Sequence, residues 1–104
     1  MWTVEVAPEF EPELLELPTE VFGPMTGRPR VDTLKGSQYA NMKELRFEVA
    51  GGVWRVAFAF DPRRKAIVLV AGDKSGKSEQ AFYRRLIAIA DKRFATHLGR
   101  LRRK

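Results

Sequence analysis

The sequence predicts an α+β fold made of a small antiparallel β-sheet, an abbreviated helical segment near the N-terminus and a C-terminal helix. Two segments with strand-like alternation of apolar and polar residues flank Gly51 and Gly52, a pair that favours a tight hairpin. A third strand-like segment, residues 66–73, follows after a short turn. Apolar residues then recur at every fourth position from Phe82 to Leu98, which is typical of a helix packed against a sheet.

The N-terminal quarter predicts one strand and one short helical segment. Residues 2–7 alternate apolar and polar side chains, as a strand does. Residues 8–21 place apolar side chains at roughly helical spacing, but two prolines limit any helix to about two turns, and its glutamates predict a solvated acidic face. The Gly- and Pro-rich residues 22–30 predict a loop, and residues 31–42 predict no definite element.

Residues 43–50 and 53–61 predict a β-hairpin whose register follows from a two-residue turn. One face is predicted to form the core and carries Leu45, Phe47, Val49, Trp54, Val56 and Phe58. The other face is predicted to be open and cationic, with Arg46, Glu48 and Arg55 beside Ala57 and Ala59. In this register Glu48 faces Arg55, so a cross-strand ion pair and a functional role explain Arg55 equally well.

The rest of the chain predicts a turn, a third strand and the helix, all within a single domain that spans residues 1–104. Residues 61–65 are a turn by composition, and residues 66–73 are apolar enough for a strand covered on both faces. Ser78 is a good N-cap for the helix, and Gly99 is a candidate for its end. Residues 99–104 predict a mobile basic tail.

Composition argues against several classes of function. The chain has no cysteine and a single histidine, so disulfides and thiolate or histidine metal sites are not expected, and neither is a cofactor. That histidine, His97, is expected to be an ordinary surface residue rather than a catalytic one. No apolar run is long enough to span a membrane, and the N-terminus is acidic where a signal peptide is basic, so a cytoplasmic protein without membrane association is expected.

Charge is distributed unevenly along the chain. Residues 1–27 contain six glutamates and no lysine or arginine, whereas all nineteen basic residues lie between residues 28 and 104. This distribution predicts a surface that binds a polyanion, because lysine and arginine that neutralise phosphates release condensed counterions. A solvated surface without a binding role is the alternative.

The segment between the third strand and the helix approaches a phosphate-binding P-loop without matching it. Residues 76–78 supply the last three positions of G-x-x-x-x-G-K-[ST], but Ala71 stands where the first glycine is required. A chain of 104 residues is also too short for the layered sheet of P-loop enzymes. We therefore do not expect nucleoside triphosphate chemistry.

Cationic residues converge near the open face of the predicted hairpin. They are Lys43, Arg46 and Arg55 on the hairpin, with Lys74 and Lys77 in the loop after the third strand. Such a face suits a phosphodiester, since cations stabilise both the ground-state anion and the charge that develops at phosphorus. RNA supplies its own nucleophile, the 2'-hydroxyl, so its cleavage needs a base, cations and an acid but no metal. Tyr83, one turn into the helix, is a candidate acid or base-stacking residue, and a tyrosine at the rim of the core is the alternative.

Residues 27–98 resemble the HigB-like toxins of the RelE/ParE superfamily, in the phage-derived host-killing-like group. The resemblance rests on the blocks "GRPRVDTLKGS", "NMKELR", "WRVAFAFDP" and "LVAGDKSG". It implies a RelE-like fold and a type II toxin that cleaves mRNA, usually on the ribosome, and thereby inhibits translation without a cofactor. It also implies a cognate antitoxin, a helix-turn-helix DNA-binding protein, as partner beside mRNA and the ribosome.

The resemblance also implies the roles of individual residues. The catalytic residues it implies are Arg55 of "WRV", Lys43 and Arg46 of "MKELR", Lys74 of "GDKSG", and Tyr83. For RNA binding we predict Lys35, Arg63, Arg64, Lys77 and Arg84. Similar sequences place two helices between the first strand and the "GRP" block, whereas here only residues 8–26 are available, so this segment is predicted to be shortened. A ParE-like poison of DNA gyrase, and a non-catalytic protein that binds RNA or an antitoxin, are the alternative functions.

Overall fold

The computed structural model describes residues 3–16, 26–49, 52–73 and 78–103, which form a five-stranded sheet and two helices. The strands are β1 (Thr3–Val6), β2 (Thr26–Thr33), β3 (Met42–Val49), β4 (Gly52–Phe60) and β5 (Lys65–Asp73). The helices are α1 (Glu11–Glu16) and α2 (Glu79–Arg102). The predicted α+β class, with a short N-terminal helix and a C-terminal helix, is confirmed.

The sheet is mixed, with the strand order β1-β5-β4-β3-β2. β2 to β5 form antiparallel pairs in chain order, while β1 lies parallel to β5. The predicted loop over residues 22–30 is wrong in its second half, because β2 begins at Thr26 and pairs with β3. β2 is an edge strand and its register shifts between Thr26 and Arg30, so the ladder skips Pro29, which lacks a backbone donor.

Helix α2 begins as predicted but continues beyond the predicted end. The Ser78 hydroxyl accepts a hydrogen bond from the backbone N–H of Ala81 at 3.1 Å, which confirms the N-cap. The helix then runs through Gly99 to Arg102, so the predicted end at Gly99 is wrong. A helical glycine costs only about 1 kcal/mol, and the last turns are held by Leu98 against the core and by an Arg100–Glu9 ion pair of 2.5 Å.

Ion pairs dock the α1 region on α2. Glu13 binds Arg93, and Glu9, which precedes α1, binds Arg100. Burial alone raises the pKa of Glu9, but the hydrogen bond from Arg100, a backbone hydrogen bond and the charges of Arg100 and Arg93 together hold that pKa below its usual value. The predicted solvated acidic face is therefore wrong for these two glutamates, which neutralise basic side chains of α2.

The β3–β4 hairpin has the predicted strands but a register displaced by two residues. Phe47 pairs with Trp54 and Val49 pairs with Gly52. Glu48 consequently faces Val53, so the predicted cross-strand pair of Glu48 with Arg55 is wrong. A displacement of two residues leaves each side chain on the face assigned to it, because strand side chains alternate with period two.

Helix α2 covers the face of the hairpin that was predicted to be open. Completely buried Met42, Ala57 and Ala59 on that face share one cluster with Phe82, Leu86 and Phe94 of α2. The small alanines leave room for bulky helix side chains to pack closely on the sheet. Trp54, Val56 and Phe58 lie on the other face and stay partly exposed, so the predicted core face is wrong.

Candidate active site

Arg46 and Arg55 are direct cross-strand partners on the face of the sheet that α2 covers. Arg55 is only 7% exposed. Its Nε donates a hydrogen bond to the Tyr83 hydroxyl at 2.8 Å, and its Nη1 donates to the Val53 carbonyl at 3.3 Å. Its guanidinium carbon also lies 5.4 Å from the ring centre of Phe82 and 5.5 Å from that of Tyr83. These contacts fix the orientation of the Arg55 guanidinium.

The Tyr83 hydroxyl connects Arg55 to a carboxylate. It accepts a hydrogen bond from Arg55 and donates one to Oε2 of Glu44, which is also 2.8 Å away. Burial raises the pKa of Tyr83 and so does the bond to Glu44, while Arg55 opposes them without cancelling them. The phenol therefore keeps its proton at neutral pH, and its hydroxyl is engaged in a network rather than facing water at the rim of the core.

Arg46 interacts with two carboxylates at the open side of this network. Its Nη2 donates to Oδ2 of Asp32 at 2.6 Å, and its Nε lies 3.7 Å from Oε1 of Glu44. The hydrogen bond that Arg46 donates to Asp32 raises the pKa of Arg46 above its usual value. The Nε atom itself is buried and, among the described atoms, makes no hydrogen bond. One donor of Arg46 is thus unused.

These side chains open into a cleft of about 510 Å³ between β2, β3 and α2. Its lining consists of Asp32, Thr33, Leu34, Lys35, Glu44, Arg46 and Tyr83. A phosphate that enters this cleft meets Arg46 first, and Arg55 lies behind the Tyr83 hydroxyl. The arrangement can bind an anion, hold a proton on a phenol and accept a proton on a buried carboxylate.

Sequence reasoning found the cations and the tyrosine of this site but missed Glu44 and Asp32. Alternation alone places Glu44 on the same face of β3 as Arg46, so its position was available from the sequence. Asp32 falls in the segment for which no element was predicted, and its pairing opposite Glu44 follows only from the β2–β3 register.

Lys43 is not brought together with the two arginines. It is adjacent to Glu44 in β3, so its side chain projects from the opposite face of the sheet. There its Nζ donates a hydrogen bond to the Thr33 hydroxyl at 3.0 Å. The structure therefore does not unite the predicted catalytic set around one point.

The residues predicted to bind RNA occupy separate positions. Lys35 is exposed at the lip of the cleft, and Arg84 is exposed on α2 next to Tyr83. Arg63 and Arg64 are exposed in the turn between β4 and β5. Lys74 and Lys77, and the loop that contains them, lie outside the described residues.

A buried aspartate ties this β4–β5 turn to α2. Oδ1 of Asp61 accepts hydrogen bonds from the backbone N–H groups of Arg63 and Lys65, both at 2.9 Å, and Oδ2 lies 2.8 Å from Nε2 of His97. His97 is thus a buried structural partner, not the surface residue that was predicted. It lies fourteen residues beyond Tyr83 in α2, which is about 21 Å along the helix axis. The turn and the cleft are therefore at opposite ends of α2.

The described residues contain neither a metal-binding cluster nor a membrane-spanning helix. No group of three or more His, Cys, Asp or Glu side chains in the described ranges is arranged to hold a metal ion. Within the same part of the chain, no helix combines the length and apolar character that crossing a bilayer requires.

The fold and the site define a small α+β protein, compatible with the RelE-like architecture, that carries an arginine–tyrosine–carboxylate network in a surface cleft. The chain belongs to the family described as "Phage derived protein Gp49-like (DUF891)", which matches residues 14–95.

Two curated relatives are each 50% identical to this chain. The match to "Putative toxin HigB2" of Mycobacterium tuberculosis spans 78 residues, which are 74% of this chain and 38% of the relative. The match to "Putative toxin HigB3" of the same organism spans 74 residues, which are 71% of this chain and 62% of the relative. The chain thus spans less than two thirds of either relative. The resemblance to HigB-like toxins is confirmed, and no solved structure matches the chain.

Proposed function

We propose that this chain is the toxin of a type II toxin–antitoxin module, an endoribonuclease that cleaves mRNA without a metal ion and thereby inhibits translation. Membership of the Gp49-like family and the names of the two relatives support the toxin class. One observation carries the chemistry: the 2.8 Å bond between Arg55 and the Tyr83 hydroxyl joins a buried cation to a phenol beside a second arginine.

Arg46 binds the scissile phosphate in this proposal, and Arg55 acts on the reaction from behind the Tyr83 hydroxyl. A guanidinium group presents a planar set of donors that matches two phosphate oxygens, and it stays charged at any physiological pH. As the 2'-hydroxyl attacks, phosphorus gains a further negative charge, and Arg46 and Arg55 stabilise it in a site shielded by α2. Loss of one such donor typically lowers a rate by about 10²–10³-fold. Lys74, in the loop after β5, is proposed as a third cation.

Tyr83 acts as the general acid. Its raised pKa keeps the hydroxyl protonated, and the Arg55 guanidinium beside it stabilises the phenolate that forms when the proton is given to the departing 5'-oxygen. General acid catalysis of this kind typically contributes about 10²–10⁴-fold. The tyrosine thus has a chemical role that needs only its hydroxyl and not its ring.

Exposed cations outside the cleft bind the rest of the RNA. Lys35 lies at the lip of the cleft and Arg84 follows Tyr83 in α2; both are proposed to contact neighbouring phosphates, as is Lys77, which precedes α2 in the sequence. Arg63 and Arg64 are proposed to contact RNA farther away, on the mRNA or the ribosome. The remaining partner is a cognate antitoxin with a helix-turn-helix fold, and the setting is the cytoplasm.

The test is induction of the full chain in a bacterial host, with measurement of protein synthesis and mapping of mRNA 5' ends. The wild type should arrest translation and create new mRNA ends, while Arg55→Ala and Tyr83→Phe should lose both effects. Tyr83→Phe keeps the ring and so isolates the hydroxyl. Arg102→Ala, which removes the same charge as Arg55→Ala from the exposed end of α2, is the matched control and should remain toxic.

Other outcomes would refute the proposal in distinct ways. Growth arrest with intact mRNA and an induced DNA-damage response would favour a gyrase poison. Intact mRNA and unimpaired growth, with antitoxin binding retained, would favour a non-catalytic binding protein. Circular dichroism of the purified variants separates loss of function from loss of fold.

A further inference from the structure

We propose that Glu44 is the general base that removes the proton of the attacking 2'-hydroxyl, an inference that rests on the proposed ribonuclease function. Cleavage through a 2'-hydroxyl requires a base, and no base was apparent in the sequence. Glu44 is the carboxylate that the fold places inside the arginine–tyrosine network.

Glu44 is held rigidly at the back of the cleft. It projects from the middle of β3, is 6% exposed, and uses Oε2 to accept the hydrogen bond of the Tyr83 hydroxyl. That bond leaves Oε1 directed toward Arg46. A buried carboxylate fixed by one oxygen, with its other oxygen directed into a phosphate-binding cleft, is oriented to accept a proton there.

Glu44 and Arg46 hold two polar atoms side by side that are not hydrogen-bonded to each other. Oε1 of Glu44 and Nε of Arg46 lie 3.7 Å apart, which is too far for a hydrogen bond, and this Nε is buried without a partner among the described atoms. A buried donor without a partner is unfavourable and is seldom left so in a native structure. When substrate displaces Asp32 and the Arg46 guanidinium turns toward the cleft, a phosphate oxygen can accept from Nε while the 2'-hydroxyl donates to Oε1.

Asp32, the other carboxylate of the cleft, is less suited to this role. Its side chain is 58% exposed on the edge strand β2 and is bound to Nη2 of Arg46 at 2.6 Å. The phosphate competes with Asp32 for that guanidinium, so Asp32 is displaced when substrate binds. A base must keep its position as the phosphate arrives, as Glu44 does through Tyr83.

The proton movements balance over one cycle. Glu44 Oε1 takes the proton of the 2'-hydroxyl as O2' forms a bond to phosphorus, and the bond from phosphorus to O5' breaks as Tyr83 gives its proton to O5'. The products are a 2',3'-cyclic phosphate and a 5'-hydroxyl end. Glu44 Oε1 then releases its proton to water and the Tyr83 phenolate takes up a proton from water, which restores both groups.

The test compares Glu44→Gln with the wild type in single-turnover cleavage of free RNA and of mRNA on programmed ribosomes. Glutamine keeps the shape and the acceptor for Tyr83 but is not a base, so the cleavage rate should fall at least 100-fold. Binding of an RNA with a 2'-deoxy residue at the scissile position should be unchanged or tighter. Glu79→Gln, which removes an exposed carboxylate in the first turn of α2, is the matched control and should cleave normally.

The pH dependence provides a second readout that a merely structural role would not change. The wild-type rate should fall on acidification, as the base becomes protonated, whereas the residual rate of Glu44→Gln should lose this dependence. If Glu44→Gln does not fold, the pH profile of the wild type still tests the role of Glu44. A wild-type cleavage rate that does not fall at acidic pH would overturn the inference.

The outcomes separate the two proposals. If the wild type does not cleave RNA, the proposed function fails. If the wild type cleaves and Arg55→Ala does not, but Glu44→Gln stays within about threefold of the wild type, only the inference about Glu44 fails.

Discussion

Asp61 should be among the most important single side chains for stability outside the apolar core. Its side chain is 0% exposed, and it holds the β4–β5 turn through the N–H groups of Arg63 and Lys65 and holds α2 through His97. A hydrogen bond to a charged group contributes about 1.5–3 kcal/mol, and the two backbone bonds, whose donors water can partly solvate, add about 0.5 kcal/mol each. We therefore expect Asp61→Ala to lower the free energy of unfolding by about 2.5–4 kcal/mol.

The effect should depend on pH in a known direction. Burial alone raises the pKa of Asp61, but the hydrogen bonds from His97, Lys65 and Arg63 outweigh burial and hold that pKa below its usual value. Ionised Asp61 therefore favours the folded state. Its contribution is fully present above the unfolded-state pKa, near pH 4, and is lost as the pH falls through the lower folded-state pKa.

Urea denaturation followed by circular dichroism, at pH 7 and at a series of lower pH values, measures both effects. Asp61→Asn should be less damaging than Asp61→Ala at pH 7, because the amide keeps an acceptor for the turn. The advantage of the wild type over Asp61→Asn should shrink below about pH 4. Glu79→Gln, which removes an exposed carboxylate, should show neither effect. An Asp61→Ala variant within about 0.5 kcal/mol of the wild type would refute the reasoning.

Three further predictions concern the turn, the cleft and the sheet. Arg64 has a left-handed φ of 63°, so Arg64→Gly should raise the free energy of unfolding in urea by about 1 kcal/mol. The same variant should make the slope of log RNA affinity against log salt concentration shallower by about one, and an unchanged slope would show that Arg64 contacts no phosphate. Asp32→Asn frees Arg46 and should strengthen binding of a non-cleavable RNA by about two- to fivefold at low salt in a fluorescence titration, and unchanged binding would show that Asp32 does not compete with phosphate. Ala57→Leu should lower the free energy of unfolding, measured by calorimetry, by about 1–3 kcal/mol, because Ala57 is completely buried under α2. An unchanged free energy of unfolding would contradict the packing of α2 on this face.

The strands of the hairpin could be predicted from alternation, but its core face could not. Choosing the face with the larger apolar residues led to Trp54, Val56 and Phe58, whereas the helix packs on Ala57 and Ala59. Which face is covered depends on how closely the bulky residues of α2 can approach, and that is a property of two elements together. Sequence periodicity describes each element alone.

The candidate site, like the hairpin, could be predicted from the sequence only in part. Arg46, Arg55 and Tyr83 were predicted, because a search for phosphate-binding cations and a nearby acid selects those residue types. Glu44 was missed because a carboxylate beside a phosphate site looks unfavourable until its hydrogen bond to Tyr83 is known. Lys43 was included because it lies at the start of the hairpin and in the "MKELR" block, although alternation places it on the opposite face from Arg46.

The net charge of the arginine–tyrosine–carboxylate network indicates that RNA binding and RNA cleavage depend on different residues. Within the described residues, two arginines and two carboxylates meet at the cleft, so the cluster carries almost no net charge, and it cannot supply most of the attraction to a polyanion. That attraction must come from exposed cations such as Lys35 and Arg84. Variants of these exposed residues should therefore weaken binding and flatten its salt dependence with little change in the rate of bound RNA. Variants inside the network should slow cleavage and leave the salt dependence nearly intact, because a charge that is already paired releases few counterions when RNA binds.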